Sequence, residues 1–156
     1  MSSLYHECIE LLKNRNVSLY DIAECVLLLQ KPYYDDLTIE QCEEAVESTI
    51  RKREVQHAII TGINIDMACE EKKFYSKSIE EKILEDYSLY GVDEVLAYGI
   101  CNLYGSIALT NFGYIDKTKP GIIGELNNDK KQCNTFLDDI VGAIAAAAAS
   151  RLAHRK

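Results

Sequence analysis

Apolar residues along the chain recur mostly at spacings of three and four, the period of a helix with one face turned inward. Leu4 to Asn14 carries Ile9, Leu11 and Leu12 on one side, and Asn14 to Asn16 closes it. Ser18, with Asp21 three residues on, predicts the N-cap of a helix through Gln30 that Lys31-Pro32 stops. Thr38-Ile39-Glu40-Gln41 is a capping-box pattern. It opens a long helical stretch through Ala45, Val46, Ile50, Ala58 and Ile59, with Gly62 expected to end or kink it. Shorter helices are expected from Ile65 to Phe74 and from Ser78 to Tyr87. Gly91 to Leu109 reads as one helix with Asp93 and Glu94 in its first turn. Asn111 to Lys131 reads as turns, from Asn-Phe-Gly, Lys-Pro-Gly and Asn-Asn-Asp. Thr135 is expected to cap a last, alanine-rich helix through about His154.

No stretch alternates with period two, and neither an internal repeat nor a linker is visible. The pattern predicts an all-α, single-domain bundle of six to eight helices over residues 1–156. Its C-terminal helix is expected to be central, because alanine side chains let neighbouring helices approach closely. The same small-residue helix suits packing within the monomer or across a two-fold axis, and a homo-oligomer is expected.

Composition agrees with a packed core: 47% of residues are hydrophobic, 27% are charged, and there are only 2 prolines. The 25 acidic and 17 basic residues leave a net charge of −8. A chain so charged repels polyanions on average, so no nucleic-acid partner is expected. Glu7 and Glu10 interrupt the opening segment, which does not read as a secretory signal. The apolar run from Ile140 to Ser150 falls short of the roughly 20 residues a spanning helix needs. A cytoplasmic location is expected. The six cysteines form no C-x-x-C and no zinc-ligand spacing, and are expected to be reduced and mostly buried.

Most glutamates lie among lysines and polar residues and read as a solvated face. Asp93, Glu94, Asp116, Asp138 and Asp139 differ, because they adjoin apolar, small or glycine-rich sequence. Asp138 and Asp139 precede an apolar helix, and a buried carboxylate needs a partner. Few cations lie nearby in sequence, so a hard divalent metal, Mg²⁺ or Mn²⁺, fits these oxygen donors. The competing reading is ordinary first-turn acids, each favoured by the helix dipole by about 0.3–1 kcal/mol. No G-x-S-x-G, P-loop or G-x-G-x-x-G occurs. Glu40/Glu43 and Glu44/Glu47 form E-x-x-E pairs, but no E-x-x-D completes a nucleotide pyrophosphohydrolase site.

Three segments, in order, resemble motifs of the phosphatidylglycerophosphatase A family. They are VDEVLAYG (Val92 to Gly99), FGYIDKTKPG (Phe112 to Gly121) and FLDDIVGAIAA (Phe136 to Ala146). Phe112, Asp116, Lys119 and Pro120 match the central motif at its spacing, and Asp138 and Asp139 match the last. The likeness is to the short branch of the family found in Gram-positive bacteria. Gly113 stands where the family has Arg, Gly142 and Ala143 are in reverse order, and nothing before Val92 resembles the family's Pro-Gly-Thr-x-Gly-Ser segment.

The resemblance implies a phosphatase that releases phosphate from phosphatidylglycerophosphate with Mg²⁺. It implies Asp93, Glu94, Asp116, Asp138 and Asp139 as metal ligands, and Asp116, Asp139 and Lys119 as catalytic residues. Lys119 and the first turn of the last helix near Thr135 would bind the phosphate. The expected partners are a phospholipid phosphate and, transiently, a membrane surface at the inner face of the plasma membrane. Arg51-Lys52-Arg53, Lys72-Lys73, and Arg151 with Arg155-Lys156 supply local positive charge for that approach. The alternative is a non-catalytic paralogue that binds metal or protein partners.

Overall fold

Helices start where a hydroxyl can accept from a free backbone amide. In a computed structural model that describes residues 3–155, Ser3 accepts from the His6 amide at 3.2 Å to open α1 (Leu4–Asn14). Ser18 and Asp21 form a reciprocal capping box on α2 (Leu19–Gln30), with bonds of 2.9 and 3.1 Å. Thr38 and Gln41 do the same for α3 (Ile39–Ile50). Met1 and Ser2 of the opening segment, and Lys156 of the C-terminal basic patch, lie outside the described residues.

The long stretch expected after Thr38 is two helices. Lys52 is extended, and α4 (Arg53–Glu70) begins after it. Gly62 does not end α4, which also absorbs most of the separate helix expected after Ile65. The glycine is there for space: a Cβ would lie 2.2 Å from Ile140 Cδ1 and 3.2 Å from Leu96 Cδ2. Next comes α5 (Lys77–Glu85), capped by Ser76. The single helix expected from Gly91 to Leu109 is broken into α6 (Val92–Asn102) and α7 (Ser106–Thr118). Gly105 makes the break at φ +96°, a conformation that side chains oppose. Asn-Phe-Gly lies inside α7 rather than in a turn, because Phe112 and Ile115 are buried and hold that segment in the core. After Lys-Pro-Gly comes α8 (Ile122–Asn128), then α9 (Thr135–Ala153). The described residues thus hold nine helices and no strand, one helix more than the upper expectation, and the fold is all-α.

The alanine-rich helix is the axis. Residues 135–150 are all buried, and α2, α3, α4, α6, α7 and α8 pack around α9, while α1 and α5 lie outside on α4. All six cysteines are buried and unpaired, and burial pushes the thiols of Cys8, Cys101 and Cys133 up to about 12. They are poor nucleophiles at neutral pH.

A helix enclosed this way cannot leave its first amides to water. Thr135, the cap expected from the sequence, does not cap α9; it is the first helical residue, and its hydroxyl donates to the Ile83 carbonyl. Asn134 is also turned away, donating to Leu126 O at 3.0 Å. The cap comes from α4. Asp66, 0% exposed, accepts from Phe136 N at 3.0 Å and from Leu137 N at 2.9 Å. Beside it Arg15 pairs with Glu70 and donates to Cys133 O at 2.6 Å.

Replacing Asp66 by Ala leaves two buried amides unpaired, at about 1–3 kcal/mol each. Urea denaturation should show a loss of about 3 kcal/mol. Burial outweighs the donors and raises the Asp66 pKa to about 7. The folded chain therefore binds this proton more tightly than the unfolded one. Its contribution to stability falls as pH rises from the ordinary carboxylate range through about 7, then levels off. Denaturation of Asp66→Asn from pH 4.5 to pH 8 should show a shallower fall than the parent; an equal fall would mean Asp66 is ionised throughout.

Candidate active site

Four helix ends converge beside the start of α9. Asp93 and Glu94 occupy the first turn of α6, and Asp138 and Asp139 the first turns of α9. Asp116 lies in the last turn of α7, with Lys119 as its C-cap. Asp93, Asp138 and Asp139 are buried, while Glu94, Asp116 and Lys119 are half-buried. Lys119 Nζ is 3.1 Å from Asp116 Oδ1 and 3.7 Å from Asp138 Oδ2. Asp139 faces Asp93 and Asp116 as well as its neighbour Asp138, close enough for a carboxyl group to hydrogen-bond to a carboxylate. The carboxylates named from sequence thus stand in one cluster around Lys119.

So many like charges cannot all be ionised together. Two carboxylates hydrogen-bond to each other only when one carries the proton. Burial, then the Asp138 charge, raises the pKa of Asp139 far above the carboxylate range. Burial also raises Asp138, with Lys119 opposing. Glu94 is raised by burial and then by Asp116. Burial lowers Lys119, but Asp138 and Asp116 more than offset this and hold it firmly protonated.

Sequence reasoning missed Asp86. It is the C-cap of α5 at φ +52° and shares the field of Asp93, Lys119 and Asp116. Its signal was there: Glu85-Asp86 puts acids at a helix C-terminus, where the dipole disfavours them. Asp66 was missed too, although it is the lone acid in the apolar segment GINIDMAC. A polar cavity of about 120 Å³ adjoins the cluster, lined by Asp86, Lys130, Gln132, Asn134, Thr135 and Asp138.

The anion site expected at the start of α9 is not free, because Asp66 already accepts from the amides of Phe136 and Leu137. The basic patches are partly engaged within the chain. Arg51 pairs with Glu47 at 2.8 Å and lies over the Tyr5 ring, Lys52 lies over Tyr104, and Lys73 is 3.3 Å from Glu71. Among the described residues, no three His, Cys, Asp or Glu side chains are already arranged to hold a metal ion, and no helix is long and apolar enough to cross a membrane.

The family model described as phosphatidylglycerophosphatase A matches residues 18–154. The chain belongs to the phosphatidylglycerophosphatase A family. Within it, the chain is 57% identical to Bacillus subtilis YutG over 145 residues, 92% of this chain and 87% of that one. It is 47% identical to B. subtilis YpjQ, over 93% of this chain and 81% of that one. The crystal structure of the low temperature requirement C protein from Listeria monocytogenes superimposes with a TM-score of 0.94 at 52% identity, covering 98% and 96% of the two chains. The phosphatidylglycerophosphatase A fold is thus built here with α9 as its axis.

The segment carrying Lys119 is held by the family's Lys-Pro turn and by α8. Lys119 takes φ +46°, and the chain folds back so that a Cβ at Gly124 would lie 2.6 Å from the Lys119 carbonyl oxygen. Alanine usually gains up to about 1 kcal/mol over glycine inside a helix. Gly124→Ala should instead lose about 1–3 kcal/mol in urea denaturation, as overpacking does. A gain would show that the Lys119 bend yields without cost.

Proposed function

We propose that the chain is a metal-dependent phosphatase that hydrolyses phosphatidylglycerophosphate to phosphatidylglycerol and phosphate. The observation that carries this reading is the convergence of acids from helix C-termini as well as N-termini. Helix dipoles account for Asp93, Glu94 and Asp138 without any ligand. They work against Asp86 and Asp116, which end α5 and α7. Carboxylates set against the dipole, crowded until Asp139 must hold a proton, suit an environment that normally contains added positive charge.

The donor set fits a hard cation, since every candidate ligand is a carboxylate oxygen. Asp93, Glu94, Asp116, Asp138 and Asp139 would hold Mg²⁺ or Mn²⁺, with Asp86 as a further donor. Such an ion supplies neutralisation of charge on the phosphoryl oxygens. Lys119 lies where it can move from Asp116 to a phosphate oxygen as a point charge. Asp139, in its ionised form, would be the acceptor for the proton of the attacking water. The polar cavity beside Asp138 has room for the rest of a small head group. Family membership supports phosphatase chemistry.

The test is phosphate release by the purified protein with Mg²⁺ or Mn²⁺, from phosphatidylglycerophosphate and from soluble phosphomonoesters. Asp116→Asn and Asp139→Asn should each lower the rate by at least about 10²-fold, the lower end of a general base's contribution, with helical circular dichroism unchanged. Retained activity in both variants removes them from the site. Metal binding without phosphate release from any substrate favours the non-catalytic reading.

A further inference from the structure

The surface of the α6–α7 hairpin is unlike the rest of the molecule. Nine of the fourteen large apolar or aromatic side chains exposed among the described residues fall between residues 87 and 114. Of these, Tyr87, Leu89, Val92, Val95 and Tyr114 are near the site acids in sequence, while Leu103 and Ile107 lie at the far end of the hairpin beside the end of α9. Leu89 is 80% exposed and Val95 65%. The chain as a whole carries 25 acidic residues, yet no exposed residue from 87 to 118 is Asp or Glu, and Lys117 is the one exposed charge there. The acids of this stretch, Asp93, Glu94 and Asp116, belong instead to the carboxylate cluster. Val92 and Val95 bracket Asp93 and Glu94 on α6, and Tyr114 and Lys117 bracket Asp116 on α7. Tyr98 ties the two helices together, its ring edge-on to Phe112 at 5.4 Å.

We infer that this face docks on an anionic bilayer and seats the mouth of the site against lipid head groups. The inference rests on the lipid-phosphate reading above. Exposed apolar patches of this kind mark interaction surfaces, and tyrosine suits a boundary that is apolar on one side and wet on the other. Charge selects the bilayer. The acidic remainder of the surface is repelled by anionic lipid, so this face, where Glu94 and Asp116 are partly covered and Lys117 adds attraction, is the one that approaches. A second copy seated on the same face would cover the flank of the site and obstruct a lipid substrate.

The chain contains no Trp, so one introduced Trp reports on one position. Val95→Trp and, as a control on α1, Leu4→Trp are mixed with vesicles of phosphatidylglycerol and phosphatidylcholine. A blue shift in Val95→Trp alone is expected. No shift, or equal shifts at both positions, overturns the proposal. Leu89→Asp with Val95→Asp should reduce co-sedimentation with these vesicles at least tenfold. The same double variant should keep its rate on a soluble phosphomonoester and its circular dichroism. Undiminished co-sedimentation overturns the proposal, as does a double variant that loses self-association in ultracentrifugation while parent and variant bind vesicles equally. Vesicle docking that depends on these residues, in a protein that releases phosphate from no substrate, supports the surface and rejects only the phosphatase reading.

Discussion

A helix surrounded on all sides has no water for its first amides, and this constraint orders much of the molecule. The small side chains of α9 let six helices close around it, which creates the problem. Asp66 solves it from α4 by doing for Phe136 and Leu137 what a neighbouring cap residue does for an exposed helix. The Arg15–Glu70 pair and the Cys133 carbonyl hold the preceding loop against the same wall. The start of α9 is thereby fixed in position and rotation. Asp138 and Asp139, one to two residues beyond the capped amides, inherit that placement.

The site then follows from where other helices end. α6 and α9 bring N-termini, whose dipoles favour carboxylates; α5 and α7 bring C-termini, whose dipoles do not. Carboxylates of the second kind need a counter-charge, as Glu70 at the end of α4 has in Arg15. Lys119 is the counter-charge within contact of both Asp116 and Asp138, and the remaining repulsion is relieved by protonation, centred on Asp139. A divalent cation would relieve it in the same way, in exchange for that proton and the lysine contacts.

Local chemistry in the sequence is a good guide where one residue decides an outcome. Ser18–Asp21 and Thr38–Gln41 cap their helices through their own side chains, and the alanine run is central as its composition implies. The misreadings all involve residues whose role is set by another part of the chain. Gly62 looks like a helix end but is a gap for Ile140 on α9. Asn-Phe-Gly looks like a turn, yet burial of Phe112 and Ile115 keeps it helical. Thr135 looks like a cap, but the cap is supplied across 70 residues of sequence by Asp66. The motif acids could be named from their spacing and family likeness; Asp86 matches no motif, and only the fold brings α5 to the cluster.

Two of the bends that bound the site are made by residues poorly suited to them. Asp86 and Lys119 both take left-handed backbone conformations, at φ +52° and +46°, which glycine adopts without the cost of roughly 1–2 kcal/mol that a side chain imposes. Asn16 and Lys72 take the same conformation elsewhere, so the bend alone does not mark a site. At Asn16 and Lys72 the helix simply ends. At Asp86 and Lys119 the side chain lies in the carboxylate field, one adding to the crowding and one relieving it. A glycine at position 119 would relax the turn and remove the contact that partly neutralises Asp138. The fold tolerates the strained lysine because the electrostatic gain is delivered at the same residue that carries the strain.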